Sequence, residues 1–156
     1  MLSHVDNNKP TMVDVSEKGV SLRWARAQST IKLTKEIMAE LDGDEINTKK
    51  GPVFATAIIA GTMAAKKTAE LIPFCHPLPI ESCKIEIKKI TDTTIRIESY
   101  LKTHNKTGIE MEALTAVSVA ALTVYDMCKA MSHEIEILDT YLIEKSGGKS
   151  DYRREV

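Results

Sequence analysis

From Ile80 to Lys102 the chain alternates with a period of two, and few folds accommodate that pattern. Cys83, Ile85 and Ile87 fall on one side of the first run and Lys84, Glu86 and Lys88 on the other. Past a turn at Asp92, Thr93, Ile95, Ile97, Ser99 and Leu101 alternate in the same way with Arg96, Glu98, Tyr100 and Lys102. Successive side chains of a strand point to opposite faces, so each run reads as a strand with one apolar face. Joined by a short polar turn, the two predict an antiparallel hairpin. Its apolar face needs a covering layer.

Two helical segments can supply that layer. Pro52 suits a first turn, and Val53, Ala57, Ala60, Ala64 and Ala65 follow at helical spacing, which predicts one helix over 52–71 that stops before Pro73. A second helix is expected from Gly108 to about Met131, with Met111, Leu114, Val117 or Ser118, Ala121, Val124 or Tyr125, and Cys128 facing inward. Leu22 to Ile31 can be extended, Thr34 can cap a short helix ending near Asp42-Gly43, and Glu134 to Lys145 returns as a strand. Strand, helix, strand, strand, helix, strand is the split βαβ order. The expected fold is therefore α+β and ferredoxin-like, an antiparallel sheet with helices on one face. Residues 1–18 read as a flexible arm, 19–150 as one catalytic domain and 151–156 as a C-terminal tail.

Composition narrows the function. A formal charge of -1 and a pI near 6.4 offer no general attraction to nucleic acid, so an anion site has to be built locally from a few cations. Cys75, Cys83 and Cys128 are odd in number and lack CxxC spacing, which fits reduced thiols in the cytoplasm. Met1–Pro10 has no apolar core of a signal peptide. The stretch from Ala113 to Tyr125, bounded by Glu112 and Asp126, is shorter than the ~20 residues a membrane span needs.

Five segments carry reactive groups. In Pro73-Phe74-Cys75-His76-Pro77 a histidine is pinned between prolines, which suits ligand contact or proton transfer and equally a structural turn; the spacing does not make a zinc site. Glu110 and Glu112 stand at a helix N-terminus, where carboxylates favour the dipole, and where one could also accept hydrogen bonds from a guanine-like edge. Asp126 and Lys129 are helix neighbours, either a solvated ion pair or a tuned catalytic pair. Lys49-Lys50 and Lys66-Lys67 are basic loops. Lys145-Ser146-Gly147-Gly148-Lys149-Ser150 fails as a P-loop, because Ile143 replaces the first glycine, yet its glycines can expose N–H groups to an anion; Arg23 and Arg26 can add charge. Asp126 follows Glu112 by 14 positions, ~21 Å along one helix, so one subunit cannot easily bring both to a small molecule.

Met12-Val13-Asp14-Val15-Ser16, Lys50-Gly51-Pro52-Val53-Phe54-Ala55-Thr56-Ala57, Cys75-His76-Pro77-Leu78, Lys106 to Thr115, Tyr125-Asp126-Met127-Cys128-Lys129-Ala130 and Lys145 to Ser150 together resemble the cyclic pyranopterin monophosphate synthase family, in family order and over residues 12 to 150. The resemblance implies a lyase of molybdenum cofactor biosynthesis that converts 3',8-cyclo-7,8-dihydro-GTP to cyclic pyranopterin monophosphate and releases pyrophosphate. It further implies a homohexamer, a trimer of dimers with active sites shared across the dimer interface. No tightly bound organic cofactor and no protein-held metal are implied; magnesium could arrive with the triphosphate. By the same resemblance Asp126 and Lys129 look like the catalytic pair and Lys50 like a second general acid/base. Phe74, Cys75, His76, Met111 and Glu112, with Glu110 beside them, match substrate-contact positions, and Phe74 stands where leucine is more usual. Arg23, Lys66, Lys145 and Lys149 look like triphosphate ligands. The rival, a non-catalytic nucleotide- or RNA-binding ferredoxin-like module, needs stacking aromatics on exposed strands, and the hairpin offers only Tyr100.

Overall fold

The computed structural model describes residues 5–6 and 9–155, so part of the expected N-terminal arm and the last residue of the tail lie outside it. A two-residue pair, β1 (Val5–Asp6) with β2 (Lys9–Pro10), precedes the main fold. The main fold then runs β3 (Ser21–Lys32), α1 (Lys35–Ala39), a small meander β4 (Leu41–Asp42), β5 (Glu45–Thr48) and β6 (Gly51–Pro52), α2 (Val53–Lys66), α3 (Thr68–Leu71), β7 (Ser82–Lys89), β8 (Thr94–Asn105), α4 (Glu110–Cys128), β9 (Glu136–Ser146) and β10 (Tyr152–Arg153).

The main sheet has the order β10-β9-β3-β8-β7, every neighbour antiparallel. With β10 set aside, the first and third long strands are central and the second and fourth flank them, which is the ferredoxin-like arrangement expected from the element order. Alternation decides the faces. Ala25, Ala27, Ser29 and Ile31 of β3 and Ile95, Ile97, Ser99 and Leu101 of β8 are buried under α2 and α4, which pack on that face and on each other. The hairpin β7–β8 has the predicted register sense, Ile87 opposite Ile97 and Cys83 opposite Leu101.

Three local expectations need correction. The helix predicted over 52–71 is two helices: the chain leaves helical geometry at Lys67, with φ -107 and ψ 11, and the buried Thr68 hydroxyl donates back to the carbonyls of Ala64 and Ala65. Apolar spacing alone carries no signal for that break. The meander β4–β6 is missing from the predicted order because its strands are two to four residues long, too short to show a period.

The third correction concerns α4. Its buried stripe is Ala113, Ala116, Val117, Ala120, Ala121, Val124, Met127 and Cys128; Val117, Ala121, Val124 and Cys128 lie where expected, but the stripe is wider than predicted and Met111, expected inside, is 38% exposed. The reason is crowding on two sides, by the sheet and by α2, which selects small side chains over large ones. A Cβ on Gly61 would stand 2.7 Å from the Ala116 carbonyl, so α2 and α4 touch almost backbone to backbone. At 19 residues α4 is, by length and composition, long and apolar enough to cross a membrane, longer than the stretch judged from sequence; in this fold it is the central helix of the core.

Side-chain hydrogen bonds fix where the ends of these elements lie. The buried Ser99 hydroxyl donates to the Ala113 carbonyl at 2.8 Å and ties the first turn of α4 to β8. Thr103 does the same for the proline-rich connection, donating to Pro79 at 2.5 Å. Pro52 cannot cap α2, and Glu45 of β5 takes over: its carboxylate accepts from the amides of Phe54 at 2.7 Å and Ala55 at 3.0 Å, and also from its neighbour Ile46 at 2.8 Å.

Candidate active site

The candidate residues gather at the two ends of α4, ~27 Å apart for 19 residues at 1.5 Å each. At the C-terminal end, Asp126 lies between two ammonium groups. Its Oδ2 is 2.9 Å from Lys50 Nζ and its Oδ1 is 3.1 Å from Lys129 Nζ; Lys50 also donates to the Asp126 backbone carbonyl at 3.2 Å. The hydrogen bond from Lys50, then that from Lys129, holds the Asp126 carboxyl below its usual range. Lys129 comes from the helix itself, three residues on. Lys50 comes from the β5–β6 turn, whose shape follows from Gly51 at φ 110 and from Thr48, which accepts the Lys50 amide at 3.2 Å. All three side chains are about half exposed (Lys50 50%, Asp126 54%, Lys129 48%), so the cluster is open to a ligand. A groove lined by Asn47, Thr48, Lys49, Met127 and Met131 adjoins it.

At the N-terminal end, alternation places Arg23 and Lys145 on the helix side of adjacent strands, whereas Arg26 faces the other way and is held by Glu144 at 2.8 Å and Glu98 at 3.3 Å. Arg26 is thereby removed from the expected group of anion ligands. Arg23 is aimed by two carbonyls, donating from Nε to Asn105 at 3.0 Å and from Nη2 to Lys106 at 3.2 Å. The turn after β9 approaches it. Gly147 has φ 98, and a Cβ there would fall 1.9 Å from the Leu22 carbonyl, so no other residue fits this path. A Cβ on Gly148 would lie 3.1 Å from Arg23 Nη1 and 3.8 Å from Lys145 Nζ, which places both cations over the bare backbone of the turn. Lys18 and Lys149 complete the wall of this cradle, and Glu110 enters it, 3.2 Å from Lys145 Nζ.

Below the cradle sits Glu112, 4% exposed, with Oε2 lacking any hydrogen-bond partner. Burial pushes its carboxyl up to about 7, and the negative charge of Glu110 pushes the same way. Lys66, Thr68, Pro77 and Leu78 line the small cavity beside it. Cys75 is close enough to both carboxylates that, after burial, the charges of Glu112 and Glu110 raise its thiol. His76 stands with Nε2 2.6 Å from the Val13 carbonyl, bound to the N-terminal arm, and Lys106 reaches the Ser16 carbonyl at 3.4 Å.

The fold thus brings together Lys50, Asp126 and Lys129 at one end, and Arg23, Glu110, Lys145 and Lys149 at the other, with Glu112, Lys66, Cys75 and His76 near the second group. Phe74 and Met111 are on the surface. Within one chain the two ends stay apart. Sequence reading misses the roles of Asn105, Lys106 and Val13, which act through backbone carbonyls and therefore leave no mark in residue type. It also misses Lys18 as part of the cradle.

Residues 12–148 match the MoaC family. The chain is 50% identical over 151 residues to the cyclic pyranopterin monophosphate synthase of Xanthomonas oryzae pv. oryzae, covering 96% of this chain and 92% of that one. It is 56% identical over 156 residues to the molybdenum cofactor biosynthesis bifunctional protein of Synechocystis, and 49% identical over 166 residues to molybdenum cofactor biosynthesis protein 1 of Dictyostelium discoideum. These matches cover 97% and 95% of this chain but only 45% and 26% of those longer proteins. Half the aligned positions shared with a protein of nearly equal length, and a family match that spans both ends of α4, leave one conclusion: this chain belongs to the MoaC family.

Proposed function

We propose that the chain is a cyclic pyranopterin monophosphate synthase, a phosphorus–oxygen lyase that converts 3',8-cyclo-7,8-dihydro-GTP to cyclic pyranopterin monophosphate in molybdenum cofactor biosynthesis. One observation carries the reading: a single carboxylate, Asp126, clamped at 2.9 and 3.1 Å between lysines from two separate parts of the chain. A solvated helix pair needs Lys129 alone; the turn that delivers Lys50 builds a two-ammonium site that can give and take protons at different atoms. Asp126 stays ionised and orients both lysines during opening and reclosure of the purine-derived ring.

The other end of α4 suits the triphosphate. A ribose hydroxyl attacks the α-phosphorus, a P–O bond forms to close the cyclic phosphate, the bond from the α-phosphorus to the α,β-bridging oxygen breaks to release pyrophosphate, and the hydroxyl proton leaves with it. Negative charge accumulates on the leaving group, where Arg23, Lys145, Lys149 and Lys66 supply cations. Glu112, with one oxygen unpartnered, accepts from the guanine-like edge, and Cys75, His76, Phe74 and Met111 line its approach. The rearrangement is redox-neutral and runs on these residues without a resident cofactor; magnesium that accompanies the triphosphate is part of the substrate. Because the two ends are ~27 Å apart, the working unit is an oligomer in which the lysine end of one subunit meets the cradle of its neighbour, a homohexamer built as a trimer of dimers. The three free thiols fit the reducing cytoplasm.

A non-catalytic RNA-binding module gains one observation. Trp24 lies beside Tyr100 on the open sheet face, ring centroids 5.8 Å apart. Of the cations lining the same pocket, Arg26 is paired with Glu98 and Glu144 and Lys84 with Glu86, so they are already neutralised rather than free for a phosphate backbone, and the enzyme reading is kept. Purified protein incubated with the cyclised GTP releases pyrophosphate and a pterin in equal amounts; a folded, oligomeric protein without turnover would sink the assignment.

A further inference from the structure

The cationic cradle already holds an anion. Glu110 Oε1 is 3.2 Å from Lys145 Nζ, and both side chains are about three-quarters buried, at 26% and 28% exposure. To get there the carboxylate lies back along the chain against Gly108: a Cβ on that glycine would stand 2.1 Å from Glu110 Oε2 and 2.5 Å from Oε1. A side chain at 108 would push the carboxylate off this position. The placement also brings a negative charge toward the buried Glu112, an unfavourable neighbour, so the cations of the cradle must offset it. An ordinary surface ion pair has none of these constraints.

We propose that Glu110 is a resident counter-ion of the cradle, occupying part of the space in which the substrate's phosphates bind, and that a phosphate ligand has to displace it. The proposal rests on the reading of the cradle as a phosphate site and adds a residue that sets how tightly a phosphate must bind to enter it. Arg23 and Lys145 both come within 4 Å of the point a Cβ on Gly148 would occupy, Lys18 and Lys149 line the same cavity, and Glu110 relieves the repulsion among these cations. A ligand gains only the difference between its own attraction and that of the carboxylate. Orthophosphate, with the smaller charge, gains little from the exchange, whereas a di- or triphosphate gains more. The same competition draws pyrophosphate out after the reaction, since the carboxylate is tethered beside the cations it leaves.

Isothermal titration of the intact oligomer with inorganic pyrophosphate, and separately with orthophosphate, tests this in wild type, Glu110→Gln and Glu110→Ala. Removal of the competing charge is expected to tighten pyrophosphate and orthophosphate binding by a similar factor, about five- to tenfold, because each ligand meets the same cost of displacing the carboxylate. A role limited to holding the fold would weaken both ligands instead. Glu110→Ala guards against failure of the glutamine variant to fold, and either variant showing the gain suffices. Unchanged or weaker pyrophosphate binding in a folded variant overturns the inference while leaving the cradle intact. No binding by wild type or by either variant overturns the cradle itself and the inference with it. Binding by the variants alone supports the inference.

Discussion

The two ends of α4 hold charged residues under opposite conditions. At the C-terminal end the charges are half exposed and complementary, one carboxylate between two ammonium groups, and the hydrogen bonds from Lys50 and Lys129 lower the pKa of Asp126 against the opposing effect of desolvation. At the N-terminal end the carboxylates are inside, Glu112 nearly completely, and burial dominates its pKa. The first arrangement suits groups that exchange protons with a changing ligand. The second suits groups whose direction must not change. One helix therefore separates flexible chemistry from rigid recognition, and its alanine-rich middle is what lets sheet and α2 hold the two ends at a fixed distance.

The strongest way to break this division is at the exposed end. Lys129→Ala or Asp126→Ala is expected to lower turnover about 10²- to 10⁴-fold with a nearly unchanged melting temperature, since neither side chain supports the core; loss of melting temperature in parallel with turnover would make the cluster structural. Mixing is the sharper test of distance. Lys129→Ala and Lys145→Ala, each inactive alone, should recover about a quarter of wild-type turnover when unfolded and refolded together, the share of sites that pair an intact lysine end with an intact cradle. No recovery in a mixed oligomer would confine each site to one subunit.

The rigid end should fail differently. Gly147→Ala puts a Cβ 1.9 Å from the Leu22 carbonyl at a φ of 98, and is expected to lower stability by about 2–3 kcal/mol and to weaken pyrophosphate binding, read by denaturant unfolding and titration. The smallest effect concerns pH. Glu112 binds its proton up to about pH 7 when folded and releases it near pH 4.5 when unfolded, so between those values the native state holds the extra proton and stability falls as pH rises. Wild type is therefore expected to lose on the order of 2 kcal/mol from pH 4.5 to 7 that Glu112→Gln does not lose. Parallel pH profiles of the two would show that Glu112 is solvated after all.

What the sequence discloses depends on how a residue acts. The hairpin and the ferredoxin-like order are legible because burial of one face writes itself into every second residue from Ile80 to Leu101. Asp126, Lys129 and the glycine turn are legible because charge and φ are properties of residue type. The full width of the α4 stripe is not, because two neighbours press on the helix and select alanine where a one-sided helix would show leucine. Nor is the distance from Lys50 to Asp126, which depends on a meander too short to have a period. The aim of Arg23 and the attachment of His76 depend on carbonyls that every residue carries.

The capping of α2 by Glu45 bears on that distance. Its carboxylate binds the amides of Ile46, Phe54 and Ala55 and so closes the meander against the first turn of the helix. In mechanical terms Glu45 is a rivet, and the β5–β6 turn is a bracket rather than a loop. The Lys50 ammonium is thus carried on a mount of fixed length, and a residue that touches no ligand sets the tolerance to which a proton is delivered.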